Sequence, residues 1–212
     1  MVLVEVTADG RVGLGYTYAD RSAAVLIGDT LQSQVMGSDP MNVTALWAGM
    51  CRLVRNLGNA GLTAMAISAV DVALWDIQGK ALSVPVYRLL GGKVREWVPC
   101  YAHVPGEDGP LDVFLAACKE LVDQGWRHLR FSVPTPHSPV MEPRQSVRVA
   151  LERFHAARDA VGDDVELIID VHTRLDPPDA LLLCRELEDA RPFFVEDPLR
   201  AESPHAYRQL RA

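Results

Sequence analysis

Asp170 and Glu196 each stand near the end of a short apolar run, Val165-Glu-Leu-Ile-Ile-Asp170-Val-His172 and Phe193-Phe-Val-Glu196-Asp-Pro. A helical pattern from Asp179 to Ala190 lies between them, so the two carboxylates are one strand–helix unit apart. In a parallel α/β barrel, successive strand ends open on the same mouth, where chemistry is done. Carboxylate oxygens placed in this way suit a hard divalent cation. Side chains two apart on a strand share a face. That rule sets His172 beside Asp170, and Ser132 beside Arg130 on the preceding strand. The set reads as an acid pair for metal, a histidine for proton transfer and an arginine for an anionic substrate. Each residue also has a plainer reading. Aspartate commonly starts turns, Glu196-Asp-Pro is a serviceable polar strand exit, and Arg130 could pair with a neighbouring acid. Co-location, not any single residue, carries the assignment. His103, His128, His137, His155 and His205 are assigned to surface or packing, and Arg174 and Arg200 to solvated loops.

The elements that must hold these residues follow from periodicity. Val2 to Thr7 alternates, meets the turn signal Ala8-Asp9-Gly10, and returns as Val12 to Tyr18. Helices are predicted over Ala23 to Val35, Val43 to Leu57 and about Thr63 to Leu82. This gives a small α+β part over residues 1–96. After Gly91-Gly92 the rhythm becomes strand–helix. Strands are predicted at Trp97 to His103, Arg127 to Val133, Val165 to His172 and Phe193 to Glu196. Helices are predicted at Leu111 to Gln124, Ser146 to Val161 and Asp179 to Ala190, with another starting at Pro204. A proline-rich loop covers Pro134 to Pro143. Residues 97–212 thus read as the first four βα units of a barrel that needs eight. Four parallel strands leave open edges that invite pairing. The expectation is a piece of a longer protein, or a sheet closed by another chain.

Bulk properties narrow the function. The chain has 212 residues, 49% of them apolar and 23% charged, ordinary values for a soluble globular protein. A net charge of −7 argues against nucleic acid or an acidic membrane surface as partner. No stretch is apolar enough to span a bilayer, and the start, Met1-Val-Leu-Val-Glu-Val, lacks a signal-peptide pattern. Cys51, Cys100, Cys118 and Cys184 form no CxxC pair, which points to reduced thiols and a cytoplasmic location.

The run Ala66-Ile-Ser-Ala-Val-Asp71-Val-Ala-Leu-Trp75-Asp-Ile-Gln-Gly79-Lys-Ala-Leu-Ser-Val-Pro85-Val-Tyr-Arg-Leu-Leu-Gly91-Gly resembles the signature helix of the enolase superfamily. The branch it resembles is that of mandelate racemase and muconate lactonizing enzyme. Asp170-Val-His172 and Val195-Glu196-Asp197-Pro198 fall where that family places its first two metal ligands. The resemblance implies an α/β fold: an α+β capping domain, here partial, followed by a modified TIM barrel. It also implies Mg²⁺ bound by Asp170 and Glu196, and abstraction of the proton α to a substrate carboxylate. Many relatives carry Lys-x-Lys where this chain has Arg130-Phe-Ser132. A histidine two residues after the first ligand resembles the mannonate and galactonate type of sugar-acid dehydratase, and there His172 inherits an acid/base role. The loop tyrosine of the mannonate type finds no match in Pro134 to Pro143. Gly15-Tyr-Thr-Tyr18-Ala-Asp20 resembles a mobile loop of the cap, which implies that Tyr16, Tyr18 and Asp20 close over substrate; Ser132, on the face of Arg130, is a further candidate substrate contact. The partner implied is a small-molecule sugar acid, and the full-length parent is expected to be a homo-oligomer. The family's third acidic ligand comes from the fifth strand, so this chain alone is expected to be inactive. A racemase or epimerase of the same branch would share the enediolate, and a non-catalytic remnant or half-barrel assembly partner is the rival outside enzymology.

Overall fold

Alternating apolar and polar residues make the first element pair an antiparallel hairpin of β1 (Val2–Ala8) and β2 (Arg11–Thr17), in register from Val2 against Thr17 to Ala8 against Arg11. The structure, a computed structural model, describes residues 1–134, 142–201 and 204–211. Its chain divides into two compact units, Met1–Trp97 and Val98–Ala212. At the hairpin tip Asp9 and Gly10 both take positive φ, 48° and 72°, the handedness that tight hairpin turns require.

One face of the hairpin lies on α4 (Leu62–Leu82), the long apolar helix of the first unit. Gly13 and Gly15 face that helix, and a Cβ on either would overlap the carbonyl oxygens of Ala73 or Ala69. Glycine is what lets strand backbone and helix backbone approach so closely. Asp76 of α4 then ties the layers together. Its carboxylate accepts the Leu14 N–H at 2.8 Å and the Lys80 ammonium at 2.7 Å, and Lys80 also donates to the Val12 carbonyl at 2.8 Å. The remaining helices are α1 (Arg21–Leu26), a π turn (Ile27–Leu31), α2 (Gln32–Val35), α3 (Val43–Leu53) and α5 (Val86–Leu89). Helix α3 stops four residues before the predicted Leu57, ahead of Gly58 at φ 88°. Leu31, Leu46, Met50, Ile67, Val70 and Leu74 form this unit's core. A groove of about 320 Å³ runs beside β1, lined among others by Val4, Val6, Ile27, Met36 and Val70.

The second unit is a four-stranded parallel sheet in the order β3 (Ala102–His103), β4 (His128–Ser132), β5 (Glu166–Asp170), β6 (Phe194–Glu196). Helices α6 (Leu111–Asp123), α7 (Pro143–Val161) and α8 (Pro177–Leu187) follow the first three strands in turn. A 3-10 turn (Glu188–Ala190) extends α8, and the short α9 (Tyr207–Leu210) follows β6. This is a partial (β/α) barrel, with half the strands of a closed one. Leu129, Phe131, Leu167, Ile169 and Val171 pack under the helices against Phe114, Val147, Phe154, Leu183 and Leu187. Strand alternation sends Arg130, Ser132, Ile168 and Asp170 to the opposite face. Strand β3 is much shorter than the predicted Trp97 to His103. Trp97 and Val98 are exposed, and Pro99 has no N–H to give a ladder. At the other end of the sheet, Arg158 of α7 clips the layers together. Its guanidinium donates to the carbonyls of Gly162 (2.8 Å), Val165 (2.6 Å), Ala190 (3.1 Å) and Arg191 (3.1 Å). Among the described residues no helix is long and apolar enough to cross a membrane.

Candidate active site

Asp170 closes β5, Glu196 closes β6, and the two are register partners. Register partners on neighbouring strands project from the same face, so the carboxylates share one mouth. Arg130 of β4 reaches between them and is itself buried, with 6% of its side chain exposed. Its Nη2 pairs with Asp170 Oδ2, and its Nε lies 3.7 Å from Glu196 Oε2. Nη2 also sits 2.8 Å from His172 Nε2, while Nη1 donates to Ser132 Oγ at 3.1 Å and lies 3.3 Å from His103 Nδ1. Two buried atoms in this cluster have no hydrogen-bond partner, Arg130 Nε and Glu196 Oε2.

His172 joins the cluster by a different route from the one expected. Strand β5 ends at Asp170, and His172 and Thr173 adopt left-handed backbone, φ 52° and 57°. Alternation along a strand therefore does not aim the imidazole. Asp170 does: its Oδ1 accepts the His172 N–H at 2.7 Å, and the turn brings Nε2 to 2.7 Å from Oδ2. The Thr173 N–H, held by the Asp197 carbonyl at 2.9 Å, fixes the next step. Left-handed backbone at a β-branched residue costs on the order of 1–3 kcal/mol and persists only where the surroundings enforce it. Burial lowers the pKa of His172 below its ordinary 6.5, and the Arg130 and Arg174 charges lower it further against the pull of Glu107 and Glu196.

The chemistry of the donor set fits a hard cation in part. Two carboxylates from adjacent strand ends, one with a buried orphan oxygen, are oxygen ligands of the kind Mg²⁺ takes. Among the described residues no group of three or more Asp, Glu, His or Cys side chains is arranged to hold a metal. Residues 1–91 match the family described as mandelate racemase / muconate lactonizing enzyme, N-terminal domain, and residues 113–212 match the enolase C-terminal domain-like family. The chain belongs to the enolase superfamily. Within that superfamily it is 38% identical to a D-galactonate dehydratase of Ralstonia pickettii (strain 12J), over all of this chain and 55% of that protein. It is 34% identical to a D-gluconate dehydratase of Thermoproteus tenax, over 98% of this chain and 42% of the other. A solved member of the enolase superfamily from Salmonella Typhimurium superposes with a TM-score of 0.84 at 28% identity, over 98% of this chain and 59% of that one. The chain spans about half the length of the curated relatives it matches. Enolase-superfamily members use Mg²⁺.

The side-chain cluster around Arg130 includes two residues that the sequence did not single out. His103, assigned to surface or packing, ends β3 in register with Arg130 and meets its guanidinium. The strand-end rule that picked out Asp170 would have found it. Glu107, in the loop after β3, accepts the Ser132 N–H at 2.7 Å; nothing in its local sequence marks it. Ser132 itself is buried and engaged on both its hydroxyl and its N–H. Arg174 donates to the Val133 carbonyl at 3.1 Å, and Arg200 pairs with Asp176. Tyr18 and Asp20 belong to the first unit. There Tyr18 is 81% exposed, and Asp20 caps α1 by accepting the Ser22 N–H at 2.8 Å. His137 lies outside the described residues.

Proposed function

We propose that this chain carries the first half of the active site of an acid-sugar dehydratase. The observation behind the reading is the register pair Asp170–Glu196 with Arg130 and His172 packed against it. Two of the similar proteins are named dehydratases of sugar acids, D-galactonate and D-gluconate, which makes an aldonic acid the substrate class. Removing the proton α to a carboxylate is prohibitive unless the charge of the enediolate is neutralised as it forms. Asp170 and Glu196 would hold a Mg²⁺ ion, which would supply that neutralisation when bound. Arg130 steadies the substrate's anionic oxygens, and Ser132, hydrogen-bonded to it, fixes the guanidinium plane. His172 shuttles the proton at Nε2. As the unprotonated imidazole it can accept the α-proton while the C–H electron pair moves into the enediolate. The imidazolium so formed can then give the proton to the departing β-hydroxyl. The C–O bond breaks, water leaves, and the enol tautomerises to a 2-keto-3-deoxy acid.

The test is an NMR assay in D2O with Mg²⁺ and a panel of aldonic acids. It is run on the 212-residue chain and on the same chain joined to the second half-barrel of the Ralstonia pickettii relative. The joined protein is expected to release a 2-keto-3-deoxy acid, and Asp170→Asn is expected to abolish the product. The chain by itself, with two acidic ligands, is expected to hold Mg²⁺ weakly and turn over nothing. Turnover by the chain alone would refute that second point. Deuterium at Cα without a keto product would replace dehydration by epimerisation.

A further inference from the structure

We infer that Arg130 is a built-in counterion for the carboxylate pair. Its guanidinium and a divalent cation compete for the same acidic oxygens, and cation binding must drive Arg130 off the pair. The inference rests on the reading of Asp170 and Glu196 as metal ligands and adds a step that reading does not contain. Four observations carry it. Arg130 and Asp170 are both almost wholly buried, with 6% and 2% of their side chains exposed. A buried carboxylate needs positive charge nearby, and here one side chain, Arg130, brings it to buried Asp170 and to partly exposed Glu196. The fit is lopsided: Asp170 is engaged directly, whereas Glu196 Oε2 and Arg130 Nε lie 3.7 Å apart and neither has a hydrogen-bond partner. Finally, the guanidinium has somewhere to go. Ser132 Oγ and His103 Nδ1 already flank its Nη1, on the side of β3 and away from β6.

The physical consequence is mutual exclusion. A cation bound to Asp170 Oδ2 would stand against Nη2 of Arg130, and two positive charges at such range repel strongly in a desolvated site. Arg130 therefore keeps the acids from repelling each other when no cation is bound, at the expense of cation affinity. Its release on cation binding would turn a structural counterion into a free guanidinium aimed at the substrate's carboxylate. Arg130 becomes a substrate ligand only in the loaded site.

The experiment measures Mn²⁺ affinity from the electron paramagnetic resonance signal of the free ion. The proteins are the wild-type chain, Arg130→Met, Arg130→Lys and Asp170→Asn, with circular dichroism to verify folding. In parallel, the Arg Nε–H region of ¹⁵N spectra of the wild type is followed during Mg²⁺ titration, and the Arg130 signal is assigned by its absence in R130K. Removal of the guanidinium is expected to tighten Mn²⁺ binding at least tenfold, with R130K in between, and the wild-type Arg130 signal is expected to move as Mg²⁺ binds. If R130M fails to fold, the wild-type spectra and R130K decide. Equal affinity in wild type and R130M with an unmoved Arg130 signal, while D170N loses binding, overturns the competition and leaves the metal-ligand reading standing. Binding in none of the proteins, or binding that D170N leaves intact, overturns both.

Discussion

A carboxylate in a folded protein is defined by what donates to it, and Asp76 shows this apart from the active site. It accepts from the Leu14 N–H and from Lys80, and that company holds its pKa below the ordinary 3.8, with the Lys80 hydrogen bond the leading cause. A depressed carboxylate contributes stability above the unfolded pKa and loses it as pH falls through the folded value, because the unfolded chain then binds more protons. Asp76→Asn is therefore expected to lower the melting temperature by a margin that is constant above about pH 5 and shrinks below about pH 4. The loss at neutral pH should be on the order of 1 kcal/mol, given a partly exposed pair and one backbone hydrogen bond. Thermal melts of both proteins across pH 3 to 7 check it, and a margin that widens in acid would contradict the assignment. The same principle separates Asp170 from Asp20. Asp170 faces a buried guanidinium, while Asp20 satisfies the start of a helix.

Elements decide which residues can meet, and here the helix–strand alternation was written plainly in the chain. Short alternating or apolar runs split by amphipathic stretches identified β4, β5, β6 and the helices between them, because strand and helix periods differ. The site was legible to the same depth: Arg130, Ser132, Asp170 and Glu196 follow from strand ends alone. His172 does lie beside Asp170, but not by strand alternation, since its backbone has left the strand and an aspartate turn re-aims it. Glu107 was invisible because a loop carboxylate has no periodicity to betray it. So was the role of Arg158, which lies in a helical pattern with several other arginines yet alone caps four carbonyls from three segments. Arg158→Ala is expected to destabilise the second unit by about 2–4 kcal/mol, by leaving those carbonyls without their charged donor. Arg158→Lys should recover less than half of the loss, because an ammonium cannot fork as a guanidinium does. Urea denaturation of the three proteins measures both, and an R158K protein as stable as wild type would rule out the forked clip.

At the scale of the whole molecule, two self-contained cores divide the labour. The first unit spends its long apolar helix and two glycines on seating a hairpin. The second spends one face of its sheet on packing against helices and keeps the other for charge. That second face carries Arg130, Asp170 and Glu196 at the mouth, and β3 and β6 are its outer strands among the described residues. The left-handed step at His172 and Thr173 has a further price for heat tolerance. Every copy of the protein gives up part of its margin against unfolding to keep one ring pointed at one carboxylate. Thr173→Gly should return some of that margin, raising the melting temperature by roughly 2–4 °C if about 1 kcal/mol is recovered. Scanning calorimetry reads it directly, and a lower melting temperature would mean that the threonine is at ease there. Attempts to harden this protein by relaxing its backbone would thus find their readiest gain beside the residue whose aim they can least afford to loosen.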